Sequence, residues 1–185
     1  MLRLFVAVDL PSTVQQAVAS LCANLRDARF VKPHQLHITL RFMGQTPDEE
    51  LPAVRERLAG VHVSGFDLRL EGVGTFPPAL RKARVLWLGL EPKPALLTLA
   101  REIDVRLGDL GLRPDEKRRA FTPHLTLARF GRQADQALPR FITQHASFRS
   151  TDWRIDCFHL YRSTLNANGA IHEVLATYPL GTTCR

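Results

Sequence analysis

The sequence predicts an α+β fold of two pseudo-symmetric lobes, each a largely antiparallel sheet with helices outside, and an active groove between them. Three observations predict it. The tetrapeptide His37-Ile38-Thr39-Leu40 returns almost unchanged as His124-Leu125-Thr126-Leu127. Around each copy the elements run in the same order: strand, helix, His-x-Thr strand, helix, strand. Each copy is closed, four residues after its end, by a glycine preceded by a bulky residue, Met43-Gly44 or Phe130-Gly131. Because side chains alternate faces along a strand, each copy puts histidine and threonine on one face and two aliphatics on the other. The aliphatic face suits a core and the polar face a site.

The elements follow from local signals. Leu2 to Asp9 is rich in Val, Leu and Phe and predicts a strand. Pro11-Ser12 starts a helix that should run to about Ala28, with Ser12 as its cap. Leu36 to Met43 is the first motif strand, closed by Gly44. Pro47 and three acids after Thr46 open a helix ending near Gly60. Phe66 to Glu71 alternates apolar and polar residues as a strand does, and Gly72 to Lys82 reads as a loop. The order then restarts with a strand over Arg84 to Leu90 and a helix from Pro92 to about Leu110, stopped by Gly111. Thr122 to Phe130 is the second motif strand, and Arg132 to about His145 a helix weakened by Pro139. Trp153 to Ser163 and Ala170 to Leu180 form two strands joined by the hairpin signal Asn166-Ala167-Asn168-Gly169. The whole is one bilobal domain over 1–185, with an internal repeat of roughly 1–72 and 84–150 and a C-terminal hairpin over 153–180.

At 185 residues, 45% hydrophobic and 23% charged, the chain can bury a substantial core. A net charge of +7 and a pI of about 10.0 favour polyanionic partners such as nucleic acid or nucleotides. Cys22, Cys157 and Cys184 are scattered and odd in number, against a disulfide framework or a structural zinc site and in keeping with a reducing cytoplasm. The apolar run of the first strand is broken by Asp9 and Pro11, too early for a secretion signal, and no stretch approaches the length of a membrane span. The expectation is a cytoplasmic protein with no membrane partner.

Two histidines on opposite sides of a phosphodiester can perform acid–base catalysis without a metal. One, neutral, takes a proton from the attacking hydroxyl or water; the other, as imidazolium, gives one to the departing oxygen. Thr39 and Thr126 can hydrogen-bond the non-bridging phosphate oxygens and steady the charge that develops there. Taken alone, one H-x-T-L is a strand histidine bonded to a backbone carbonyl; two in a repeated context point to a site. The near-symmetry leaves open which histidine is the acid. A zinc centre would need a third ligand at recognisable spacing, and no metal is expected. The five other histidines, His34, His62, His145, His159 and His172, lack a partner motif and read as structural or surface residues.

The paired motifs resemble those of the two-histidine phosphoesterase superfamily, in particular the LigT-like RNA 2′,3′-cyclic phosphodiesterases, whose older name is 2′-5′ RNA ligase. The resemblance extends through Arg3-Leu4-Phe5-Val6-Ala7-Val8 with Pro11, Phe42 and Gly44, Gly74-Thr75-Phe76-Pro77, Val85-Leu86-Trp87-Leu88-Gly89, Phe121-Thr122-Pro123, Ala128-Arg129, Leu160-Tyr161-Arg162-Ser163 and Tyr178-Pro179-Leu180. It implies a hydrolase that opens an RNA terminal 2′,3′-cyclic phosphate to a 2′-phosphate, with no cofactor. It also implies activity in the ligation direction, joining tRNA half-molecules through a 2′-5′ linkage. His37 would be the proton donor and His124 the proton acceptor. Thr39, Thr126 and Arg129 would hold phosphate, and Phe42 would stack on the base. A module that binds RNA ends without turnover is the alternative from another class. The expected partners are RNA with cyclic phosphate ends, tRNA fragments or nucleotides, bound by a monomer.

Phe42 and Arg129 each lie five positions after their histidine, so a regular strand aims them at the opposite face. Reaching the groove requires a bulge or a strand end. Otherwise Phe42 is core packing, and Arg129 a solvent-facing or ion-pair residue. Arg81-Lys82-Ala83-Arg84 and Lys117-Arg118-Arg119 are candidates for steering RNA, or else solvated loop charges, and Arg162 is near the groove or structural.

Overall fold

The computed structural model describes residues 1–21, 25, 28–112, 122–131, 136–166 and 169–181. Among these residues, nine strands form two antiparallel sheets. In chain order these are β1 (Leu2–Asp9), α1 (Ser12–Ala19), β2 (Ala28–Phe30), β3 (His37–Thr46), α2 (Leu51–Ala59), β4 (Phe66–Phe76), β5 (Val85–Glu91), α3 (Pro94–Gly108), β6 (Leu125–Phe130), α4 (Leu138–His145), β7 (Trp153–Ile155), β8 (Cys157–Asn166) and β9 (Gly169–Pro179). The first sheet has the order β3-β1-β8-β9 and the second β2-β6-β5-β4-β7. In each, the motif strand sits beside the opening strand of its repeat, β3 on β1 and β6 on β5.

The sheets do not divide where the sequence repeat does. β4, which follows the first motif, pairs with β5 in the second sheet, while β8 returns from the C-terminal end to pair with β1 in the first and brings β9 beside it. Each half of the chain thus gives its last strands to the other sheet. One continuous core follows from this exchange: Leu4, Val6, Val8 and Ile38 of the first sheet cluster with Leu86, Leu88, Leu125 and Leu127 of the second. Helix α3 seals it with Leu96, Leu99, Ala100, Ile103 and Leu107, the buried stripe of an amphipathic helix.

Several boundaries differ from the sequence expectation. The first helix ends at Ala19 rather than Ala28, and Pro11 holds the cap position with no side-chain bond from it. Ala28–Phe30 is instead an edge strand on β6. Gly44 does not close its strand: at φ +74° it lets the chain pass through a bulge, and Gln45 and Thr46 go on to pair with Arg3 and Leu2. The expected loop after Glu71 is strand as far as Phe76, with Gly72 (φ +78°) at a break in register between Leu70 and Val73. Glycine is required at Gly74 because the Trp87 ring lies over it, and a Cβ there would sit 2.3 Å from a ring atom. Trp153 to Ser163 is two strands, since the chain leaves the second sheet after Ile155 and enters the first at Cys157. The hairpin closes on the pair Asn166 and Gly169, and its two turn residues lie outside the described residues. The fourth helix starts at Leu138 with Pro139 in its first turn, where proline's missing N–H costs nothing. No helix among the described residues is long and apolar enough to cross a membrane.

Candidate active site

The register of the motif strands decides which side chains meet. On β3, Thr39 stands opposite Ala7 and Arg41 opposite Val6, so Leu40 is extra and forms a bulge. On β6, Thr126 stands opposite Trp87 and Ala128 opposite Leu86, so Leu127 is extra in the same way. The two bulges fall on equivalent residues, the last of each tetrapeptide. Each reverses the alternation that follows it. Phe42 and Arg129 therefore join His37, Thr39, His124 and Thr126 on the groove face. Arg41 swings to the other face, where it is buried, donates to Asp104 of α3 at 3.0 Å and to the Leu112 carbonyl at 2.5 Å.

All six sequence candidates (His37, Thr39, Phe42, His124, Thr126 and Arg129) line one cavity of about 910 Å³ between the sheets. The histidines are held alike. The His37 Nδ1–H donates to the carbonyl of Gln35 at 2.8 Å, and the His124 Nδ1–H to that of Thr122 at 2.7 Å. Bonding Nδ1–H to a carbonyl leaves Nε2 on each ring free to take or give a proton. Aromatic neighbours hold both rings. His37 lies against Phe5 (centroids 4.9 Å apart), which stacks on Tyr161 at 5.0 Å and 7°. His124 lies edge-on to Phe76 at 5.0 Å and 81°, and Phe76 packs on Trp87. Burial lowers the pKa of both histidines, and the backbone bond opposes it in each. The Arg129 charge lowers both further, and Asp9 raises that of His37.

The cavity is electropositive. Arg29 on β2 stands directly opposite Arg129 on β6, and both line it together with Lys32 and Arg3. Like charges opposite one another in a ladder repel, and among the described residues neither arginine forms an ion pair. An anion between them would offset that repulsion. The Arg3 guanidinium lies 5.0 Å over the Phe42 ring. Phe42 thus lines the cavity while also packing on the Phe5, Ala7 and Tyr161 cluster.

Sequence reasoning missed His172. It is no surface residue: from β9 it lines the groove, with its ring 5.2 Å from that of His37. Burial, then His37 and Arg3, push its pKa down to about 4. No local signal marks it, because only the return of the C-terminal hairpin to β1 brings it there. Asp9 was also missed, although the alternation Phe5, Ala7, Asp9 along β1 carries it to the face of His37. Of the steering candidates, Arg81 and Lys82 are exposed outside the cavity, Arg84 is tied to the Gly131 carbonyl and Arg162 is paired with Glu173. Lys117, Arg118 and Arg119 lie outside the described residues.

Residues 9–167 match the family model of the 2′-5′ RNA ligase superfamily. An RNA 2′,3′-cyclic phosphodiesterase of Archaeoglobus fulgidus is 32% identical over 180 residues, covering 96% of this chain and 99% of that one. A crystal structure of a Thermus thermophilus protein superposes with a TM-score of 0.83 at 30% identity, over 98% of this chain and 100% of the other. E. coli LigT in complex with 3′-AMP superposes with a TM-score of 0.79 at 26% identity, over 98% and 99%. With its two bulged His-x-Thr strands facing one cavity and a family match over most of its length, the chain belongs to the 2′-5′ RNA ligase superfamily.

Proposed function

We propose that the protein is an RNA 2′,3′-cyclic phosphodiesterase that opens terminal cyclic phosphates to 2′-phosphates, with His37 as acid and His124 as base. The observation that carries this is the matched pair of imidazoles, each with Nδ1–H tied to the carbonyl two residues before it and each facing the same cavity. His124 Nε2 removes a proton from water as its oxygen attacks phosphorus. The bond from phosphorus to the ribose O3′ breaks, and His37 Nε2–H protonates that oxygen. Thr39 and Thr126 donate to the non-bridging oxygens, Arg129 and Arg29 balance their charge, and Phe42 offers an apolar wall for the terminal base. The names of the relatives support the reaction, and the net charge of +7 supports an RNA strand as its carrier, whether a tRNA fragment or another RNA. A 5′-hydroxyl in place of water would run the same site as a ligase, the activity in the superfamily's name.

The test is a short RNA with a 2′,3′-cyclic phosphate end, incubated with the protein and chelator, with the product phosphate identified. A 2′-phosphate is expected, and His37→Ala and His124→Ala should each lose about 10²–10⁴-fold, the usual contribution of one acid or base. Full activity in either variant, or abolition by the chelator, refutes the mechanism. Adding a 5′-hydroxyl RNA shows whether water or the hydroxyl consumes the ends faster.

A further inference from the structure

The two histidines are equivalent by strand position and by backbone bond, yet acid–base catalysis needs them in opposite protonation states. The strand ladders break that symmetry. In the ladder of β1 and β3, the residue opposite His37 is Asp9. In the ladder of β5 and β6, Leu88 stands opposite Leu125, and one step further along that register falls Gly89. No side chain fits there without moving the backbone, because a Cβ on Gly89 would lie 2.5 Å from the Glu71 carbonyl oxygen. The first histidine has a carboxylate across the ladder, and beside the second the same register, extended past its last pair, has a glycine.

We infer that Asp9 is a positioning residue that keeps His37, rather than His124, the proton donor of the pair. The inference rests on the phosphodiesterase reading above. The Asp9 carboxylate is fixed: the Tyr161 hydroxyl donates to its two oxygens at 2.6 and 2.8 Å. Burial, with Asp9 beside it, pushes the Tyr161 pKa far up, so the phenol stays a donor. The Tyr161 ring stacks on Phe5, and Phe5 lies against His37, so one aromatic column ties the carboxylate's anchor to the imidazole it acts on.

Among the described residues, charged and titratable groups around His37 come from four strands, and His34, in the turn just before β3, lines the same small cavity. Asp9 is on β1. Tyr161 and His159 are on β8, with His159 Nε2 3.6 Å from the Asp9 carboxylate. His172 is on β9 and Arg129 on β6. His172 is neutral well below neutral pH, and Arg129 acts on both catalytic candidates, so neither distinguishes them. Asp9 does. It lines a smaller cavity of about 180 Å³ shared with His37 and Tyr161, not the main groove, so it acts through His37 and not on the substrate.

Asp9→Asn keeps the shape and removes the charge. NMR titration of the imidazoles should show the His37 midpoint falling by about half a unit to one unit, the low end of the effect of one neighbouring opposite charge, because Asp9 is partly solvated. The His124 midpoint should stay in place, and Asp9→Glu should restore that of His37. Above neutral pH, kcat for the cyclic-phosphate RNA should fall about 3- to 10-fold, the same shift expressed as protonated fraction, with KM unchanged. Equal shifts in both histidines, no shift in His37, or a loss of kcat in Asp9→Asn that Asp9→Glu does not restore would overturn the inference. The titrations need no substrate, so they fail independently of the reaction; absence of hydrolysis by the unaltered protein would instead refute the function.

Discussion

Gly74→Ala is a substitution outside the groove residues that should reach the second histidine. The added Cβ would stand 2.3, 2.5 and 2.8 Å from three atoms of the Trp87 benzo ring. Ordinary carbon contacts begin near 3.4 Å, so the indole must retreat by about 1 Å or the sheet must open. Overpacking of this kind costs about 1–3 kcal/mol, which for a chain of this length lowers Tm by about 2–12 °C. Trp87 packs on Phe76 and Phe76 carries the edge of His124, so the displacement also moves the imidazole, with an expected loss of about 10- to 100-fold in kcat. Thermal unfolding followed by circular dichroism reads the first effect and single-turnover kinetics on a cyclic-phosphate RNA the second. A double-mutant cycle with Trp87→Phe, which replaces the crowding indole with a smaller ring, should recover most of the stability loss. A Tm within about 1 °C of the parent and an unchanged kcat would refute the reasoning, as would a cost that persists in full without the indole.

Two further perturbations follow from the electrostatics. Burial holds the pKa of both catalytic candidates down and the Arg129 charge adds to it, so Arg129→Gln should raise both limbs of the bell-shaped profile of kcat/KM against pH while raising KM for the RNA; an unmoved profile would separate Arg129 from the site. His172 is pushed from 6.5 to about 4, so the fold disfavours its charged form; this costs nothing above pH 6.5 and costs increasing stability as the pH falls toward 4. Urea midpoints should therefore drop between about pH 7 and pH 4.5, and drop less in His172→Gln. Equal slopes would show that His172 does not titrate with folding.

The motif residues were legible because the information is local. His37 and Thr39, or His124 and Thr126, share a face by strand periodicity alone, and the repeat announces that the two faces belong together. Where a regular strand misleads, at Phe42 and Arg129, the alternation itself showed that a bulge was needed, and both strands supply it at Leu40 and Leu127. The Gly-Val-Gly stretch after Glu71 misread as loop because glycine signals a turn, whereas here Gly74 makes room for an indole from the neighbouring strand. That reason exists only once β5 is paired beside β4.

Strand faces, the paired imidazoles and the class of chemistry were thus determined by the sequence, since each rests on spacing of a few residues and on the intrinsic acid–base range of histidine. The tertiary structure alone decided the rest. Exchange of β4 and of the C-terminal hairpin between the sheets welds the halves into one core and carries His172 and Tyr161 beside His37 across long sequence separations. Register placed Asp9 opposite one histidine and left glycine at the matching place beside the other. A repeat in sequence is symmetric by construction, but the field at each imidazole is a sum over everything packed around it, and only the assembled fold makes the two sums unequal.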